Sequence, residues 1–174
     1  MNILELDSYS LADAVKFNDK LNPRIWQGNT MRPEVRAKLL EIAADFQQSL
    51  GIPDLDIKDI TVSGSNAGYT YTDHSDIDLH LVVEMPEQCD EVYQELFNAK
   101  KYQYNDEHDI RIGGYDVELY VQPADQPHVS AGVYSVANND WIHIPRKVRT
   151  DVDDAGVRNK YEDVKARVES AVKS

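Results

Sequence analysis

The sequence has a single cysteine, Cys89, so it can form no internal disulfide and no cysteine-built zinc site. A reducing cytoplasm is therefore the expected compartment. Long apolar runs are also missing. The longest are three residues, as in Leu81-Val82-Val83, which leaves no segment for a transmembrane helix. The opening MNILELDSYS has no basic segment followed by an apolar stretch, so no secretory signal is expected. Basic residues are scarce: 18 Lys and Arg stand against 31 Asp and Glu, a net charge of −13. That argues against a broad DNA- or RNA-binding surface, which needs clustered cations.

What remains is ordinary for a soluble globular chain: 174 residues, 41% hydrophobic and 28% charged. At about 150 residues per domain, this length predicts a single domain over residues 1–174. Its expected core is about 33–122, with an N-terminal helical segment over 1–32 and a C-terminal hairpin and helix over 123–174. The acidity is uneven. Residues 51–99 carry eleven Asp or Glu and one basic residue, Lys58. Such a segment is either a solvated surface or a place that needs cations.

Periodicity predicts the elements. A short helix is expected over 8–20, with Leu11, Val15 and Phe17 on its apolar side, then turns at Asn22-Pro23 and Gly28-Asn29. Pro33 suits a first helical position. Val35, Leu39, Ile42, Phe46 and Leu50 follow on one face, and Gly51 and Pro53 end the helix. Ile57, Ile60 and Val62 read as a strand ending at Ser63-Gly64. From Ser75 the alternation is strict: Asp76, Asp78 and His80 on one face, Ile77, Leu79 and Leu81 on the other. A helix from Pro86 would bury Cys89, Val92, Tyr93, Leu96 and Phe97. Hairpins are expected over 109–122 around Gly113-Gly114 and over 132–144 around Asn138-Asn139. A last helix over about 154–172 would present Val157, Tyr161, Val164, Val168 and Val172. The sum is an α+β fold of four helices and about six strands, with helices packed against one mixed sheet.

Two carboxylates at i and i+2 on a strand leave the same face, so Asp76 and Asp78 repel each other unless a cation lies between them. Oxygen-only ligands favour Mg2+ or Mn2+. Glu118, between Val117 and Leu119, would complete a cluster if its strand were a neighbour. Gly64-Ser65, directly after a strand, would let a phosphate approach the backbone, with the Ser65 hydroxyl as a further donor. A short helix starting there would add its dipole, although Gly68 and Thr70 disfavour one.

A strand ending in Gly-Ser, a gap of ten residues, Asp-Ile-Asp-Leu and a later acidic residue between apolar ones resembles the DNA polymerase β-like nucleotidyltransferase superfamily. The likeness spans Ile60 to Val121. The flanking segments LNPRIW, RPEVRAKLLEIA, DVELYVQP and GVYSV resemble small nucleotidyltransferase-like proteins of bacteriophages. The resemblance implies a nucleotidyltransferase-like sheet, with Gly64 and Ser65 binding nucleotide phosphate and Asp76, Asp78 and Glu118 as metal ligands and catalytic groups. It also implies two-metal transfer of NMP from an NTP to a hydroxyl acceptor, with release of pyrophosphate. The acceptor is an RNA 3′ end such as that of tRNA, a protein, or a small molecule.

Other readings use the same residues. His74, Asp76, Asp78 and His80 alternate and would suit a metal-dependent hydrolase. A silent nucleotide-binding or antitoxin-like regulatory module is a further alternative. Asp116 competes with Glu118 but adjoins the Gly-Gly turn, where exposure is expected. Lys100, Lys101 and Arg111, or Arg146, Lys147 and Arg149, are candidates to meet phosphate. Tyr69, Tyr71, Tyr134 and Trp141 are candidates to stack a base.

Overall fold

The computed structural model describes residues 16–85 and 90–148. The chain divides into two compact units, residues 17–146 and residues 1–16 with 147–174, and every element below belongs to the first. Within it the α+β expectation holds: helices pack on one face of a six-stranded mixed sheet.

A two-stranded hairpin comes first, β1 (Trp26–Gln27) and β2 (Thr30–Met31), turning at Gly28-Asn29. Helix α1 (Pro33–Leu50) follows with the expected start and end. Val35, Leu39, Ile42, Ala43, Phe46 and Leu50 are buried, and Gly51 closes it in the left-handed conformation. Strand β3 (Ile57–Ser63) runs into a single 3-10 turn, Ser65–Ala67. Then come β4 (Ile77–Val83), α2 (Asp90–Glu107), the hairpin β5 (Arg111–Ile112) and β6 (Tyr115–Pro123), and a last hairpin, β7 (Val133–Ser135) and β8 (Asp140–His143).

Strand order is β5-β6-β4-β3-β7-β8. Only β4 and β6 pair in parallel; the other neighbours are antiparallel. A parallel pair needs a long crossover, and α2 supplies it. Alternation then sorts the faces. Val62, Ile77, Leu79, Leu81, Val117 and Leu119 form a buried side under the helices. Each large apolar side chain buried there contributes about 2 kcal/mol. Helix α2 docks through Phe97 and Tyr104. Tyr104 meets Phe46 edge-on at 5.0 Å and donates to Asp45 at 2.6 Å. Asn105 bonds the backbone N–H and C=O of Leu119, at 3.2 and 3.4 Å, so the helix is fastened to β6.

Several expectations change. Residues 16–20 are irregular rather than helical; the remainder of the helix expected over 8–20 lies outside the described residues, as do Cys89 and the helix expected over 154–172. On α2, Phe97 is buried and Tyr93 packs against the core as expected, but Val92 is 64% and Leu96 37% exposed, and Tyr104, seven residues beyond Phe97, completes the buried side. Strand β4 starts at Ile77, which leaves Asp76 just ahead of it and His74 in an exposed turn. No helix among the described residues is long and apolar enough to cross a membrane.

Candidate functional site

The outer face of the sheet carries the polar half of the alternation. Asp78 pairs in register with Glu118 across β4–β6 and with Ser63 across β3–β4. Neighbouring strands stand about 4.8 Å apart, so the two carboxylates leave the sheet side by side. Asp76 precedes them at the strand mouth. Proximity registers in their acidities. The Asp78 carboxyl is pushed up to about 6, chiefly by burial and then by Glu118 and Asp76. Asp76 is also raised, by burial first, then by Glu118 and Asp116. The structure thus brings together the carboxylates that the sequence singled out. Asp116, although near enough to act on Asp76, is exposed and accepts from Arg111 at 2.6 Å. Arg111, a phosphate candidate, thus spends its guanidinium on Asp116 and Asp109.

Gly64 sits against this cluster. Its φ of 80° and ψ of −170° lie where only glycine is comfortable, and a Cβ there would fall on Asp78 Oδ2. Here the absence of a side chain is what lets the carboxylate lie over the backbone. Ser65 departs from expectation. Its hydroxyl donates to Ser75 Oγ at 2.7 Å, and Ser75 Oγ also accepts from the Thr72 N–H at 2.9 Å. Ser65 thereby closes the loop that delivers Asp76. The single turn after it is too short to provide an appreciable dipole.

Five contributors went unread or half-read in the sequence. Asn66 is fully buried; its Nδ2 donates to the Asp76 carbonyl at 2.9 Å, and its Oδ1 accepts from Asn22 at 2.8 Å. Trp26 Nε1 donates to the Asn66 carbonyl at 2.8 Å. The signal for this clamp was an amide directly after Gly-Ser, a residue type that is buried only when its bonds are made. Tyr120 donates to Glu118 Oε2 at 2.7 Å, and burial, followed by that bond, raises its own pKa. Its ring stacks on His80 at 4.9 Å. His80 Nε2 lies 3.0 Å from Ser63 Oγ, and burial, then His128 and Lys101, lower its pKa to about 4, so it is neutral at neutral pH. Lys101 Nζ lies 3.7 Å from the Tyr120 ring centroid; burial lowers its pKa against the pull of Glu118 and Asp78.

Three carboxylates with hard oxygen donors on one face suit a divalent cation in chemistry and in register. Among the described residues, however, no three His, Cys, Asp or Glu side chains are gathered tightly enough to form a ready-made ligand set. Of the candidate ring stackers, Tyr69 packs against the core. Tyr134 and Trp141 pack with Trp26, and the Tyr71 hydroxyl donates to the Lys20 carbonyl. Arg146 and Lys147 are exposed, while Arg149 lies outside the described residues. No family model, curated protein or solved structure matches the chain.

Proposed function

We propose that this protein is a metal-dependent nucleotidyltransferase, moving NMP from an NTP to a hydroxyl acceptor. The observation that carries the reading is the register pairing of Asp78 with Glu118 on a parallel strand pair, with Asp76 beside them and Gly64 beneath. It joins the resemblance to the DNA polymerase β-like superfamily, which names the same residues. Asp76, Asp78 and Glu118 would hold Mg2+ or Mn2+, which when bound acidifies a hydroxyl and offsets charge on the triphosphate. The chain's own groups do the rest. Asn66 fixes the backbone at Asp76. Gly64 keeps the space over the backbone free of a Cβ. Tyr120 holds Glu118 through Oε2, leaving its other oxygen to accept the proton of the acceptor hydroxyl.

A silent nucleotide-binding or regulatory module is the second reading, and Lys101 is the observation that favours it. An ammonium attracted by Glu118 and Asp78 is a built-in partial counter-charge, and a cluster offset in this way has less need of a metal.

The test is incubation with each α-labelled NTP, Mg2+ or Mn2+, and a cell extract. Label appearing on RNA, on protein or on a small molecule supports the transferase and identifies the acceptor class. Saturable, metal-dependent nucleotide binding without transfer supports the silent module. Ester or pyrophosphate cleavage without an adduct supports a hydrolase.

A further inference from the structure

Next to the carboxylates, the outer face of the sheet is hollowed into a cavity of about 250 Å3, walled on its far side by the loop after β6. Its lining presents the hydroxyls of Thr61 and Ser63, the amides of Gln122 and Gln126, and the imidazoles of His80 and His128. No Asp, Glu, Lys or Arg is among the described residues that line it. Floor and cluster share the same strands: Ser63 is the register partner of Asp78, and His80 and Tyr120 stand one pleat, about 7 Å, beyond Asp78 and Glu118.

One lining atom lacks a partner. Thr61 is 1% exposed, and its Oγ1 is the sole buried side-chain polar atom among the described residues without a hydrogen bond. A hydroxyl buried in this way is destabilising unless something arrives to bond it. Its neighbours in register, His80 and Ser135, are both taken: His80 by Ser63, and Ser135 Oγ by Asp59 at 2.7 Å. Thr61 is one of the residues that line the cavity, and a ligand there is the partner left to its hydroxyl.

We propose that this cavity is a binding site for an uncharged, hydroxyl-bearing small molecule of monosaccharide or nucleoside size. The volume suits one such molecule, and the lining offers neutral donors and acceptors with a stretch of apolar wall from Val121 and Val133. A charged ligand would find no counter-ion in this lining. Tyr120 lines the cavity and donates to Glu118 Oε2, so a ligand held here sits beside the carboxylates, as an acceptor must. That last step, from ligand to acceptor, rests on the transferase reading; binding itself does not.

The experiment is a two-dimensional NMR titration of the full chain with two ligand panels, neutral monosaccharides and nucleosides. One panel is expected to produce saturable shifts at the amides of Thr61, Gln122 and His128, and the panel that does so identifies the source. Thr61→Val, which keeps the shape and removes the hydroxyl, should weaken binding about tenfold, and Ser130→Trp on the loop should block it. Absence of saturable shifts with both panels, or equal affinity in Thr61→Val, overturns the proposal. Ligand binding without any label transfer from NTP leaves the cavity standing and removes the transferase; transfer without cavity binding does the reverse.

Discussion

Asn66 reaches across the Gly64–Asp76 loop and donates to the carbonyl of Asp76 at 2.9 Å, so a buried amide, rather than the strand itself, sets the position of the first carboxylate. Around it, Asn22 and Trp26 complete a network that ties the N-terminal hairpin to the site. Asn66→Ala would strand the Asn22 amide and the Asp76 carbonyl in a buried place. We expect a loss of about 2–3 kcal/mol in urea unfolding. A change under about 0.5 kcal/mol, the usual surface range, would mean the clamp is not formed in solution.

Asp78 gives a pH signature. Its folded carboxyl is raised to about 6 from 3.8, so the folded state holds its proton more tightly than the unfolded chain. Its contribution is therefore favourable at low pH and declines as pH rises from 3.8 through about 6, without a metal. Asp78→Asn removes the charged form. At about pH 8 the variant should be more stable than wild type by about 1 kcal/mol, a figure reduced for partial solvent screening, and the difference should vanish near pH 4. Urea midpoints at the two pH values check this. Transfer by the same variant should fall about 100-fold or more. Undiminished transfer would remove Asp78 from the chemistry.

Gly64→Ala combines a left-handed backbone with a Cβ placed on Asp78 Oδ2. The expected cost is about 3 kcal/mol in unfolding free energy. Asp78→Ala in the same chain relieves the collision and leaves the backbone strain. A thermodynamic cycle over the two sites should therefore show coupling of about 1 kcal/mol or more. Strict additivity would mean the carboxylate does not lie over this glycine.

Lys101→Met separates the two functional readings. If the carboxylates exist to take a cation, losing the competing ammonium should tighten Mn2+ binding severalfold and leave folding nearly unchanged. If Lys101 is the permanent counter-charge, the variant should unfold more easily at neutral pH and bind no metal. Calorimetric titration and a melting curve read both.

Most of the frame was legible in the sequence because it depends on local pattern. Pro33, the apolar stripe and Gly51 bound α1; alternation marks β3, β4 and β6; Gly113-Gly114 turns the second hairpin. The pairing of Asp78 with Glu118 was readable only as a condition, since strand order is set by packing 40 residues apart in sequence. The partners of Asn66 and the bond from Ser65 to Ser75 could not be read from the sequence, because they depend on what a loop encloses. Helix α2 was half legible: Phe97 is buried and Tyr93 packs on the core as the apolar stripe expects, whereas Val92 and Leu96 fit the same stripe but are exposed, and Tyr104 takes part instead.

The most direct measurement is Mn2+ binding, followed by electron paramagnetic resonance, in wild type, Asp78→Asn and Glu118→Gln. The transferase reading requires bound Mn2+ in the wild type and its loss in both variants, although they lie on different strands. Wild-type protein that leaves Mn2+ free in solution, or a Glu118→Gln variant that binds it undiminished, would contradict a cation shared between the strands.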